Sequence, residues 1–271
     1  MSQRLRAVWR ETRAAFEEGH YRVGERLVDL SGALAAMREG TRLYLPGEPA
    51  APSAPGSRRT TRFEVTREST LEAAGRLVAG PGPSHVAALN FASARKPGGG
   101  VANGARAQEE SLARSSALYA SLVLCPEYYD HHRDHESLLY TDRVIWSPGV
   151  PVYRDDRGGW LPEPLPVSFL TCAAPNRRMI ERNRVEPADT IPLVLAARAR
   201  GVLAVAAEQG VARLVLGAWG CGVFGNHPAE VAAAFAGHLR RGGVFAGEFE
   251  HVVFAVLDRD DTVREAFASA L

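Results

Sequence analysis

Residues 85 to 110 read HVAALNFASARKPGGGVANGARAQEE, which combines an apolar strand, a glycine-rich loop and the start of a helix. The segment Val86 to Leu89 is apolar on both faces, as in central strands that helices cover on both sides. Three consecutive glycines follow, and a backbone without Cβ atoms can approach a ligand closely. The backbone N–H groups of such a loop can also donate hydrogen bonds to phosphate oxygens. This stretch predicts an α/β domain with a ligand loop at the end of a central strand.

Predicted strands and helices alternate along most of the remaining chain. A capping box formed by Ser69 and Glu72 opens a helix that extends to about Val78. The alternation predicts a three-layer α/β/α domain with a mixed, largely parallel sheet. Strands are predicted at 62–65, 85–91, 143–146, 167–172, 213–217 and 251–257, and helices at 108–124, 190–209, 228–241 and 262–270.

The N-terminal segment has a different pattern. Residues 2–19 and 24–38 carry apolar side chains at helical spacing, which predicts an N-terminal helical extension. The prolines and glycines of residues 46–59 predict a loop and a domain boundary. The expected organisation is a helical extension and loop over residues 1–59, followed by the domain that carries the site over residues 60–271.

The composition is that of an ordinary soluble globular protein. The 271 residues are 46% apolar and 23% charged, and the formal net charge is +1, which gives no reason to expect direct binding to nucleic acid or a membrane. The apolar stretch 191–207 is interrupted by two arginines and is too short to span a bilayer. Cys125, Cys172 and Cys221 form no C-x-x-C pair. We therefore expect no disulfide framework, no metal site and a reducing, cytoplasmic setting.

A second glycine-rich loop, residues 217–226, reads GAWGCGVFGN and lies between a predicted strand and a predicted helix. In open α/β sheets, ligands bind outside the carboxyl ends of the strands, and helix N-termini there favour anions. Two such loops facing one crevice could bracket a diphosphate. The segment Gly220 to Gly225 also matches G-x-G-x-x-G, but it lies too late in the domain for a second nucleotide-binding half to follow.

Glu109 and Glu110 lie in the first turn of the predicted helix, where the helix dipole stabilises acidic residues on its own account. Neighbouring helical positions point about 100° apart, so the two carboxylates cannot play one role. One can face a scissile bond as a general acid while the other holds a hydroxyl group. A nearby diphosphate and partial burial favour the neutral acid that such chemistry needs.

These motifs resemble the bacterial-type poly(ADP-ribose) glycohydrolases, a branch of the macro domain superfamily. The resemblance begins with Asn90-Phe91-Ala92, the glycine triplet 98–100, a seven-residue spacer and Gln108-Glu109-Glu110. It continues through residues 111–116, residues 147–150 and residues 220–226 of the second loop, and it covers roughly residues 60 to 260.

The resemblance implies a macro-domain-like α/β/α fold that binds a terminal ADP-ribose without a cofactor. It implies Glu110 as the catalytic acid and Glu109 as the residue that holds ribose hydroxyls. The two glycine-rich loops would embrace the diphosphate and the distal ribose, and Phe224 would pack against that ribose and favour exo-type cleavage. The residues expected to bind the ligand are Asn90, Gly98, Gly99, Gly100, Gln108, Gly220, Gly222, Val223, Phe224, Gly225 and Asn226.

Three classes of function remain open at this point. The favoured one is exo-type hydrolysis of ribose–ribose O-glycosidic bonds in poly(ADP-ribose) on modified proteins, which releases ADP-ribose. The second is a macro domain that binds ADP-ribose without cleaving it, and such a protein needs no acid at position 110. The third is a nicotinamide-dependent oxidoreductase that uses the second loop, and it offers no task for Gln108-Glu109-Glu110.

Overall fold

The computed structural model describes residues 2–49, 60–82, 85–184, 186–258 and 261–271. The helices are α1 (Gln3–Glu18), α2 (Ser31–Gly40), α3 (Thr70–Val78), α4 (Gln108–Ser115), α5 (Leu118–Leu122), α6 (Pro126–Asp134), α7 (Arg177–Asn183), α8 (Ile191–Glu208), α9 (Pro228–Leu239) and α10 (Asp261–Ala270). The strands are β1 (His20–Val23), β2 (Arg26–Asp29), β3 (Arg42–Tyr44), β4 (Arg62–Thr66), β5 (Val86–Phe91), β6 (Val144–Arg154), β7 (Trp160–Cys172), β8 (Arg213–Gly217) and β9 (His251–Ala255).

Within these residues the central sheet has seven strands in the order β3-β6-β7-β5-β8-β9-β4. The strand β5 lies in the middle and pairs in parallel with both β7 and β8. The strand β6 runs antiparallel to its neighbours β3 and β7, whereas β8, β9 and β4 continue the parallel part. The prediction of a mixed, largely parallel sheet is confirmed.

Helices cover both faces of this sheet. Val86 and Ala88 of β5 belong to a core formed with α1 through α6, whereas Ala87 and Leu89 belong to a second core formed with α7 through α10. Alternate residues of a strand point to opposite faces, so a strand that is apolar at every position is buried on both. The three-layer α/β/α arrangement predicted from such strands is confirmed.

The segment Ala188–Glu208, which contains α8, has the length and apolar composition of a membrane span, with a mean hydropathy of 1.5 over an 18-residue window. Its buried face packs in the second core. Arg198 interrupts this helix, and its buried guanidinium pairs with Asp142 at 2.9 Å and donates to the carbonyl of Ala173. These contacts are those of a core helix.

The N-terminal segment is less helical than predicted. The helix over residues 2–19 is observed as α1, but the helix predicted at 24–38 is wrong in its first half. Residues 20–29 form the antiparallel hairpin of β1 and β2, which turns at Gly24 with a φ of +59°, and α2 begins only at Ser31. The strand β3 then joins the central sheet. Residues 50–59 of the predicted boundary loop lie outside the described residues, and the division at residue 59 stays a prediction.

The helix predicted over 108–124 is broken into α4 and α5. Ser116 is extended, forms a bridge with Val152 of β6, and is followed by a hydrogen bond from the Ala117 N–H to the Pro151 carbonyl. The helix is therefore interrupted by a contact with a strand that lies far away in the sequence.

The strands β6 and β7 are longer than predicted. Their several prolines are accommodated in a hairpin with two register shifts.

Candidate active site

The first glycine-rich loop passes directly beneath the two carboxylates. Gly98 and Gly99 have φ values of +65° and +57°, which glycine adopts without strain. A Cβ atom on Gly99 would overlap the carboxylate of Glu110 and lie 3.1 Å from Oε2 of Glu109. The missing side chain at position 99 therefore makes the room that both acids occupy.

Gln108 fastens the first turn of α4 to the end of β5. Its Oε1 accepts the N–H of Phe91 at 2.9 Å, and its Nε2 donates to the carbonyl of Leu89 at 2.8 Å and to Thr70 Oγ1 at 3.1 Å. Both N–H groups of this amide are thus used within the protein, so Gln108 positions the first turn of α4. Gln108 also lines the cleft, and its predicted contact with a ligand stays a prediction. The acids that follow it are placed relative to the rigid central strand.

Glu109 is buried, with 3% of its surface exposed. Its Oε2 accepts the N–H of Ser93 at 2.7 Å, and its Oε1 accepts from the amide of Asn90 at 3.3 Å. Burial raises the pKa of Glu109 to about 8, against the lowering effect of these hydrogen bonds. Asn90 is fully buried behind this carboxyl group and also donates to Thr171 Oγ1. Asn90 therefore supports Glu109 in this structure and is not among the residues that line the cleft, and its predicted contact with a ligand stays a prediction.

The two carboxyl oxygens of Glu110 have different surroundings. Its Oε1 accepts the N–H of Gly100 at 2.8 Å. Its Oε2 has no hydrogen-bond partner among the described residues, and the residue lines the cleft with 8% of its surface exposed. A carboxyl group with one oxygen fixed by the backbone and the other unpartnered is well arranged to exchange a proton with a ligand.

The second loop is closed by Asn226. The Asn226 N–H donates to the carbonyl of Gly220 at 3.0 Å, and its side-chain amide donates to the carbonyl of Pro175 at 2.9 Å. Gly220 and Gly225 both have positive φ values, of +71° and +72°. Gly225 and Asn226 therefore shape the loop from behind, and Val223 at its tip is 67% exposed.

Phe224 is held from two sides. Its carbonyl accepts the N–H of Arg178 at 2.9 Å, and the Arg178 guanidinium donates to the carbonyl of Gly222 at 3.2 Å. The centroid of its ring lies 6.0 Å from that of Tyr140. The start of α7 and the segment before β6 thus fix the aromatic residue of the second loop.

The two loops open onto one cleft of about 750 Å³. Of the predicted site residues, the cleft is lined by Gly99, Gly100, Gln108, Glu109, Glu110, Gly220, Gly222, Val223 and Phe224, whereas Asn90, Gly98, Gly225 and Asn226 lie behind its wall. Sequence reasoning missed further lining residues, among them Ser93, Lys96, Arg106 and Asp156. The only indication in the sequence for Ser93, Lys96 and Arg106 was their position between β5 and α4. Asp156 lies in the turn of the β6–β7 hairpin, which is distant in the sequence.

Cys221 also lines the cleft. Burial raises the pKa of its thiol to about 12, so it is protonated at neutral pH and a poor nucleophile. Among the described residues no group of three or more His, Cys, Asp or Glu side chains is arranged to hold a metal ion.

Comparison with known proteins places the chain in a family. A family model described as the catalytic domain of microbial-type PARG matches residues 10–155, more than half of the chain. This chain belongs to the microbial-type poly(ADP-ribose) glycohydrolase family. The matched residues contain the first loop and both acids, whereas the second loop lies beyond them.

Solved structures of this family extend the match to the whole chain. The poly(ADP-ribose) glycohydrolase of Thermomonospora curvata is 49% identical over 100% of both chains, with a TM-score of 0.93. The same enzyme bound to the inhibitor ADP-HPD superposes with a TM-score of 0.90. The Deinococcus radiodurans enzyme in complex with ADP-ribose is 47% identical, covers 90% of this chain and 98% of its own, and has a TM-score of 0.82. These matches confirm the expected macro-domain-like fold. A search of curated proteins found no match.

Proposed function

We propose that this protein hydrolyses the ribose–ribose O-glycosidic bonds of poly(ADP-ribose) from the chain end and releases ADP-ribose. The observation that carries the proposal is the unpartnered Oε2 of Glu110 in a cleft bounded by two glycine-rich loops. Membership of the glycohydrolase family supports it, as do the complexes of two relatives with ADP-HPD and ADP-ribose.

Glu110 acts as acid and then as base. Its carboxyl proton passes to the oxygen that links the distal ribose to the next unit, and the bond between that oxygen and the anomeric carbon breaks. The distal ribose becomes an oxocarbenium-like cation, which the adjacent diphosphate stabilises. Water then adds to the anomeric carbon and gives its proton back to Glu110. Only one carboxyl group transfers protons, unlike the paired scheme of most glycosidases.

Glu109 holds the ribose hydroxyls in this proposal. Because its pKa is about 8 in the free protein, Glu109 is neutral near pH 7 and the pair does not carry two adjacent negative charges. Exo-type cleavage is supported by Phe224, which lines the cleft in a loop fixed by Arg178.

Replacing Glu110 with Gln tests the proposal. Glu110→Gln keeps the shape of the side chain and its hydrogen bond to Gly100 but removes the transferable proton, so we expect turnover of poly(ADP-ribose) to fall about 10²- to 10⁴-fold. Glu127→Gln is the matched control, because Glu127 is also an acid in a first helical turn but is exposed and outside the cleft. ADP-ribose binding by calorimetry should persist in both variants.

Parallel assays separate the competing functions. The wild-type protein is incubated with poly(ADP-ribose), with mono-ADP-ribosylated protein and with NAD. Release of ADP-ribose from the polymer supports the proposal. Binding of ADP-ribose with no cleavage indicates a macro domain that only binds, and retention of full polymer turnover by Glu110→Gln would reject the assigned acid.

We further propose that the polymer is presented on modified proteins in the cytoplasm. Cys125, Cys172 and Cys221 are free thiols, and two of them are buried. Free thiols are typical of a reducing compartment. Fractionation of cells that produce the protein tests its location. Recovery of ADP-ribosylated proteins after inactivation of the protein tests whether the polymer is presented on proteins.

A further inference from the structure

The first turns of α1 form one side of a surface cavity of about 680 Å³. Arg4, Arg6 and Arg10 line it, and Ala102 of the first glycine-rich loop forms another part of its wall. Among the described residues, no acidic side chain lines this cavity. Its positive charge is therefore not neutralised from within.

The guanidinium groups of Arg6 and Arg10 are available to a ligand. Both residues are exposed, and neither side chain has an ion pair or a hydrogen bond to another described residue. The nearby acids Glu11 and Glu17 of α1 are paired with other arginines. Because Arg6 and Arg10 are four residues apart on a helix, they lie on one face and repel each other weakly. An anion bound between them would remove that repulsion.

This cavity lies next to the catalytic cleft. The short turn Val101–Asn103 separates them, with Ala102 on the cavity side, while Arg106 lines the cleft. A Cβ atom on Gly104 would lie 3.4 Å from Cγ of Arg6, so the stem of Arg6 passes close to the loop just before Arg106. Exposed guanidinium groups thus continue from the cleft onto α1.

The same turn is adjacent to the proposed acid. Gly100, which precedes the turn, donates its N–H to Glu110 at 2.8 Å. The bond that Glu110 would cleave joins the distal ADP-ribose in the cleft to the rest of the polymer. That remaining polymer carries a diphosphate in every unit and must leave the cleft across a neighbouring surface. A surface of unpaired arginines has the complementary charge.

We propose that Arg106, Arg6 and Arg10, the arginine track, bind the diphosphates of the polymer units on the leaving side of the scissile bond. This inference rests on the proposed function and adds a second binding region for long chains. Contacts between exposed guanidinium groups and phosphates strengthen binding in a salt-dependent way. They leave the chemical step at Glu110 unchanged.

The test compares the double variant Arg6→Gln/Arg10→Gln with wild type on long, size-fractionated poly(ADP-ribose). We expect KM to rise on the order of 3- to 10-fold at low salt, with kcat unchanged, since phosphate contacts carry much of the affinity for a polyanion. The slope of log KM against log salt concentration should decrease by about 1.4, because each phosphate contact of a single strand contributes about 0.7. The Kd of free ADP-ribose, measured by calorimetry, should not change.

Arg13→Gln is the matched control, because Arg13 lies on the same helix but pairs with Glu17 outside the cavity. An equal rise of KM in this control, an unchanged KM in the double variant, or a weakened affinity for free ADP-ribose would overturn the arginine track. A protein that cleaves no polymer refutes the proposed function instead. In that case, long-chain binding measured by fluorescence anisotropy still decides the inference: a weaker, less salt-dependent affinity of the double variant supports it, and an unchanged affinity overturns it.

Discussion

At the scale of single residues, Gly99 is a position at which one added methyl group would act directly on both acids. We expect Gly99→Ala to lower the free energy of unfolding by about 1–3 kcal/mol, because its backbone has a positive φ, and to reduce polymer turnover, because the new Cβ would displace both carboxylates. Urea unfolding and a polymer assay measure the two effects.

The control for this substitution is Gly237→Ala. Gly237 lies in α9, and a Cβ there meets nothing within 4 Å. Alanine in a helix is more stable than glycine by about 0.5–1 kcal/mol, so this variant should be slightly stabilised. If Gly99→Ala behaves like Gly237→Ala, the close approach of the loop to the acids is not essential.

Also at the residue scale, Glu109 makes stability depend on pH. Its pKa is about 8 when folded and 4.5 in the reference state, so between these values the folded protein binds one more proton than the unfolded chain. The free energy of unfolding should therefore fall as pH rises through this window, by at most about 1.4 kcal/mol per pH unit, and level off above it. Glu109→Gln should remove this decline. Urea unfolding from pH 5 to 9 checks the prediction, which fails if both proteins show the same slope.

At the scale of elements, Tyr140 ties the segment after α6 to the second loop. It has a φ of +58°, unusual for a large side chain, and its ring contacts both Phe224 and His132. The next residue, Thr141, donates its N–H to His132 Nε2 at 3.2 Å, which holds this backbone in place. A strained residue held in this way is often a positioning residue.

We expect Tyr140→Ala to loosen Phe224 and to raise KM for the polymer about 3- to 10-fold, since loss of an aromatic contact costs about 0.5–1.5 kcal/mol. Tyr140→Phe keeps the ring and should behave as wild type in a steady-state polymer assay. Equal effects of both variants would indicate that the hydroxyl group, and not the ring packing, is what matters.

Local signals in the sequence were sufficient for elements whose limits are set locally. The capping box at Ser69 and Glu72 is present, and α4 begins at Gln108 as predicted. Features that depend on distant partners were not predictable: the bridge from Ser116 to Val152 broke a helix, and the side-chain amides of Gln108 and Asn90 donate hydrogen bonds to β5 and to Glu109. Sequence motifs thus identified which residues gather at the cleft, but not which of them face it.

At the scale of the whole molecule, the N-terminal segment shares its core with the elements that carry the site. Thr12 of α1 donates to the carbonyl of Arg114 at the end of α4, and it accepts through its own carbonyl from Tyr153 of β6. The ring of Trp9 packs edge-on against Tyr119 at 5.1 Å. The strand β3 also completes one edge of the sheet.

We therefore expect a truncated chain of residues 60–271 not to fold on its own, although the sequence predicts a boundary at residue 59. Removal of α1 and α2 would expose the apolar surface beneath them, and truncations of large apolar side chains from such cores already cost about 2–5 kcal/mol each. Circular dichroism and urea unfolding of the fragment measure this. A cooperative, soluble fragment that cleaves polymer would establish the residues before 60 as a dispensable extension.

The two glycine-rich loops differ in how much room they leave for an added side chain, and this difference decides where the ligand range of the cleft can be altered. Beneath the acids, the first loop leaves no free volume at Gly99, so bulk added there disables the carboxylates. In the second loop, a Cβ on Gly222 meets nothing within 4 Å. A side chain introduced at position 222 therefore has room to extend, and engineering of this cleft for altered ligands should start from the second loop.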